Sequence, residues 1–109
     1  MDSILIGGKE RPVNVGWGTL KDFGKQTGRS FSQVFSVEDL GFDDIEKLLF
    51  VSLKWGAKRE GQDFDVKIAD VQGWLNDDML VVVKFMEIFG ESVTAALDEK
   101  NLPAPEAGQ

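Results

Sequence analysis

The side chains best placed to do chemistry in this sequence are three adjacent carboxylate pairs, Glu38-Asp39, Asp43-Asp44 and Asp77-Asp78. Paired acids can hold a cation or divide general-acid and general-base roles between them. Here each pair stands where a helix is expected to begin, and a carboxylate at that place accepts backbone N–H groups without any ion. The ligand rhythm of a calcium loop is missing, and no pair is singled out among the nineteen acids for work on a glycosidic bond. The chain has no histidine, cysteine or tyrosine. It therefore lacks the base that titrates near neutrality, the thiolate nucleophile and the phenolic acid. Gly7-Gly8 and Gly16-Trp17-Gly18 have neither the spacing nor the lysine–serine/threonine ending of a phosphate loop. The inventory predicts a protein that is not an enzyme, with no metal and no cofactor.

What remains is apolar surface. Three tryptophans and eight phenylalanines are a heavy aromatic load for 109 residues, and such side chains either fill a small core or anchor an interface. The longest apolar run is Asp77–Asp98, DDMLVVVKFMEIFGESVTAALD, of helical length. At 100° per residue, Met79, Val82, Val83, Met86, Phe89, Val93 and Leu97 share one side, and this is the expected core stripe. A second line, Val81, Phe85, Ile88 and Ala95, runs beside it and leaves only a narrow polar sector. That second line is the expected partner-binding face. On this expectation Phe85→Asp or Ile88→Asp leaves the monomer folded and abolishes association.

The other elements must cover that rod. Ile4–Ile6 and Arg11–Val15, joined by Gly7-Gly8-Lys9-Glu10, form a β-hairpin, with Pro12 at an edge or strand start. Two strands alone are marginal in water, so the hairpin must lie on helices or pair with a partner. Trp17 should plug into the core, and Thr19 should cap a short helix, Leu20–Gln26. The segment 31–40 has a mixed signal. Asp43 and Glu46 form an acidic capping box before a helix that carries Ile45, Leu48, Leu49, Ser52, Leu53 and Gly56 on one face and ends near Gly56–Gly61. Phe50 falls on its far side among Lys47, Lys54 and Lys58, either covered or a contact, and joins the candidate partner-binding residues. A further helix, Asp65–Leu75, presents Ile68, Val71, Trp74 and Leu75. Gly90 is expected to permit a close helix crossing. The fold class is mainly α: a small helical domain of four to five helices with an N-terminal hairpin over 4–15, ending near residue 100 before a disordered tail over 101–109.

The formal charge is −7, which argues against nucleic acid or an anionic membrane as partner and favours a basic or neutral protein surface. It is unevenly spread. Residues 1–35 carry five bases and three acids, a net +2, so residues 36–109 hold −9. Without cysteine, a signal-peptide pattern or a membrane-length apolar run, the expected place is the cytoplasm.

The order of elements adds one more expectation. Ile6-Gly7-Gly8-Lys9-Glu10 precedes an extended Pro12-Val13-Asn14-Val15; "IEKLLFVSLKWGAKREG" ends a helix at Leu53–Gly56; "DVQGWLNDD" leads into the long last helix. Over residues 4–98 this arrangement resembles the tail assembly chaperones of long-tailed bacteriophages. The resemblance implies a host-cytoplasmic protein that binds the tape measure protein, a long and aggregation-prone helical client, and keeps it soluble while tail tube subunits assemble. Many members also have a longer, frameshifted form. A holdase of this kind needs apolar surface offset by net charge, and self-association through the same stripe is its expected state without client. Two rivals come from other classes: an acidic inhibitor or nucleic-acid mimic that uses Asp63, Asp65, Asp70, Asp77 and Asp78, and a structural tail component that uses the hairpin edge.

Overall fold

Two glycines with positive φ, Gly7 at 63° and Gly8 at 83°, reverse the chain so tightly that the expected four-residue loop shrinks to two. Strand β1 (Ser3–Ile6) therefore pairs antiparallel with β2 (Lys9–Pro12), in the register Ile4 to Arg11 and Ile6 to Lys9. Ile4 and Ile6 point inward and are buried, while Leu5 faces out. The hairpin rests on helices, which supply the support that two strands lack. The computed structural model describes residues 2–97; the expected tail over 101–109 lies outside them.

Four α-helices follow: α1 (Trp17–Thr27), α2 (Phe42–Arg59), α3 (Ile68–Asp77) and α4 (Leu80–Leu97). Between α1 and α2, the segment of mixed signal forms two short 3-10 turns, Gln33–Phe35 and Val37–Asp39. The domain is mainly α with an N-terminal hairpin, as expected. The helix starts differ by a few residues from the sequence reading. Thr19 is not a cap: it is buried inside α1, and its Oγ1 donates to the Asn14 carbonyl at 2.7 Å. The box on α2 uses Asp44, not Asp43 and Glu46, with the Gly41 N–H donating to its carboxylate at 3.0 Å. In α3 Asp70 does the same for the Lys67 N–H at 2.8 Å, and before α4 Asp78 accepts the Leu80 N–H at 3.1 Å.

The centre of the domain is α2, which packs against α1, α3 and β2 and buries Leu48, Leu49, Val51 and Leu53. Two close approaches fix its neighbours. The Trp55 ring lies flat against Gly18 of α1, where a Cβ would sit 2.6 Å from the ring. The backbone at Pro12 and Val13 crosses directly over Gly56, where any side chain would collide with the Pro12 carbonyl. Gly90, by contrast, has nothing within 4 Å of a hypothetical Cβ, so it marks no close crossing.

The last helix, α4, docks on β1 and α3, and the way it docks corrects the sequence reading. Its buried seam is Val81, Phe85 and Phe89, at i, i+4 and i+8. This seam takes two residues from the stripe expected to be exposed and one from the stripe expected to be core. Met79 and Val83, expected inside, stand in solvent at 76% and 55% exposure. An almost wholly apolar helix does not declare its inner face by periodicity. The side that docks carries the two phenylalanines, and each removes more apolar area from water than a valine or methionine in its place would.

Candidate functional site

The largest concentration of exposed aromatic surface lies along α1, and local backbone chemistry builds it. Gly28 at φ 75° ends α1 in the left-handed region and turns the Arg29 N–H back onto the Gly24 carbonyl at 3.0 Å. The returning segment is then pinned by Arg29, whose guanidinium donates to the Asp44 carboxylate and to the Asp39 carbonyl, both at 2.9 Å. The Ser30 N–H donates to Gln33 Oε1 at 2.8 Å. Phe31 is thereby brought beside Trp17, with ring centroids 6.1 Å apart, and against the edge of Phe35 at 5.3 Å. Trp17 is 73% exposed and Phe31 65%.

Between these rings and α1 lies an open groove of about 410 Å³. Leu20, Gly24 and Val34 line it, with Lys21, Lys25 and Arg29 as its cationic groups. Lys21 and Lys25 are exposed, and neither forms an ion pair among the described residues. The nearby acid on α1, Asp22, is engaged on the α2 side, where it accepts from Trp55 Nε1 at 2.7 Å and lies 3.6 Å from Lys54 Nζ. The groove is apolar with a basic rim.

A second apolar region opens α4. Met79, Leu80 and Val83 stand out in solvent, and a separate cleft of about 480 Å³ is lined by Leu5, Gly7, Trp74, Asp77, Asp78 and Val81. Its rim is acidic. A third, shallower depression runs along Met86, Gly90, Thr94 and Ala95 with Glu87 and Glu91.

The expected partner-binding residues do not form one face. Val81 and Phe85 are enclosed, at 6% and 0% exposure, by the hairpin and α3, so neither presents surface to a partner. Ile88 is half-buried against the core and Ala95 is exposed. Phe50 is half-buried and edge-on to Phe64 at 5.5 Å, which is the covered arrangement. The residues that do stand out are ones the sequence pattern places inside. Trp17 does not plug the core, and Met79 and Val83 do not line it. The signal for Trp17 was in the spacing, because Trp17, Lys21 and Lys25 recur every four residues and lysines mark a solvent face.

Two of the paired carboxylates, and one outside the pairs, are engaged locally. Asp44, Asp70 and Asp78 each accept a backbone N–H at a helix start, and no group of three or more acids that could hold a metal occurs among the described residues. Comparison with known proteins gives no matching family model, no matching curated protein and no matching solved structure.

Proposed function

We propose that the chain is a non-enzymatic binding protein that holds amphipathic helices of an aggregation-prone client. Its sequence resembles tail assembly chaperones, and on that likeness the client is the tape measure protein of a phage or prophage tail. The observation that supports this reading is the pairing of exposed Trp17 with exposed Phe31, together with exposed Leu80 and Val83 one helical turn apart on α4, in a chain of net charge −7. Single exposed apolar residues are ordinary, whereas clustered ones rimmed by charge mark interaction sites. The net charge keeps such a surface in solution between encounters. The support moves from the expected Val81/Phe85 stripe to these two regions.

The mimic reading loses ground on geometry. Asp70 and Asp78, two of the five carboxylates it needs, are turned to their own helix starts.

The test begins from the neighbouring genes. A long, helix-rich tape measure gene is expected beside this one, and its product is expected in the pellet when expressed alone and in the supernatant when co-expressed with this chain. The reading is wrong if the long protein stays insoluble in both cases, or if no such gene is present.

A further inference from the structure

We infer that the α1 groove is a docking site for an acidic amphipathic helix of a partner protein. This specifies the binding reading above and rests on it, but it runs against the expectation from net charge, which favours a basic partner.

The occupant's backbone follows from what the groove lacks. Its walls are α1, the returning segment from Gly28 to Phe31 and Val34 of the 3-10 turn, and neither strand of the hairpin lines it. An extended segment would find no ladder of N–H and C=O groups to join and would bury its own unpaired. A helix satisfies its backbone internally and needs only to offer side chains. The volume of about 410 Å³ takes the apolar side chains of one or two helical turns. Trp17 and Phe31 supply the rigid aromatic contact that dominates such interfaces.

The occupant's charge follows from the rim. Lys21 and Lys25 project beside the groove, without carboxylate partners among the described residues. Arg29 is held by Asp44 and the Asp39 carbonyl, so it serves as wall rather than rim. Glutamates flanking an apolar stripe would meet both lysines, whereas lysines there would meet two like charges. Residues 36–109 carry −9, and the cleft at the start of α4 is lined by Asp77 and Asp78, so an acidic helix is disfavoured there. Charge thus separates the α1 groove from that cleft.

The experiment uses the full chain and two labelled 18-residue amphipathic peptides with one identical leucine/phenylalanine face, flanked by glutamate in one and by lysine in the other. Fluorescence anisotropy is read at low and at physiological salt. The expected result is at least tenfold tighter binding of the glutamate peptide, a preference that shrinks with salt. It should reverse in the doubly substituted Lys21→Glu/Lys25→Glu chain and disappear in Phe31→Ser. All three positions are exposed, and circular dichroism checks that the variants fold. The inference is overturned if neither peptide binds, if both bind alike, or if the preference survives the lysine reversal. It is also overturned if sedimentation shows the groove filled by a second copy, as an oligomer that Phe31→Ser dissolves and the glutamate peptide does not. Client solubilisation in the co-expression test can succeed while this preference fails, so the two readings fall separately.

Discussion

The helices α2 and α4 are both eighteen residues long, and α2 carries seven charged side chains where α4 carries three. The more polar helix is nevertheless the more completely enclosed. Leu48, Leu49, Val51, Ser52, Leu53, Gly56 and Ala57 are all buried, and three of them, Val51, Ser52 and Leu53, lie in an unbroken run that turns more than halfway round the helix axis. On α4, among the residues whose burial is described, burial falls on every fourth one, Val81, Phe85 and Phe89. The difference is one of neighbours. Three elements pack on α2 from different sides, and α4 leans on β1 and α3 from one. The apolar side chains of α4 outnumber the surface available to cover them, and the remainder faces solvent.

The strongest way to break this comparison is Phe85→Asp. Phe85 has no exposed surface, and truncating a buried phenylalanine to alanine already costs about 3–5 kcal/mol. A carboxylate without a partner adds to that. Near-UV circular dichroism and urea unfolding should show the domain unfolded or nearly so. A folded variant with an unchanged midpoint would mean that α4 is dispensable to the core.

The glycines of the two helices should respond with opposite signs. Gly56→Ala drives a methyl into the Pro12 backbone, and overpacking of this kind costs about 1–3 kcal/mol. Gly90→Ala adds its methyl in open space, so the helix gains up to about 1 kcal/mol from lost chain freedom in the unfolded state. Thermal melts of both variants check the pair. Stabilisation at position 56 would contradict the crossing of the hairpin over α2.

The start of α2 adds a pH dependence. The Gly41 N–H donating to Asp44, reinforced by the Arg29 guanidinium and by Lys47, outweighs partial burial and holds this carboxyl below the usual aspartate range. A group whose pKa is lower folded than unfolded stabilises the domain above its unfolded value, and that stabilisation is lost as pH falls through the folded one. Asp44→Asn should therefore cost about 1 kcal/mol at neutral pH. The loss should shrink as pH falls below the ordinary aspartate value and vanish once pH is below the depressed folded one. Urea midpoints at several pH values measure it, and a pH-independent loss would show that the charge is not the cause.

Much of this architecture could be read from the chain. Leu48, Leu49, Ser52 and Leu53 recur at helical spacing among charged residues, and that contrast identifies the inner face of α2 without a structure. The hairpin was legible for a similar reason, since Gly7-Gly8 supplies the conformations a two-residue reversal demands. On α4 the contrast is absent. Where nearly every side chain is apolar, the face that docks is decided by tertiary neighbours, Ile4, Ile6 and Val71, which come from elsewhere in the sequence. The α1 groove was hidden differently. Phe31 reaches Trp17 only because Arg29 fastens the returning segment to Asp44 fifteen residues on, and no local pattern encodes that contact.

The smallest expected effect on stability is also the most informative about function. Val83 lies two positions from Phe85 on the same helix and is 55% exposed. In Val83→Glu, glutamate gains a few tenths of a kcal/mol in helix propensity over a β-branched residue and loses a similar amount to Glu87 four residues on. The net change in the isolated domain should stay within about 0.5 kcal/mol, read from the urea midpoint. If the loss is instead near that expected of a core residue, something already covers Val83 in the free protein, and a second copy is the cover that a concentration series detects. In that case the midpoint will rise with protein concentration for the parent chain and not for the variant. A small, concentration-independent change leaves the start of α4 as surface held open for a partner.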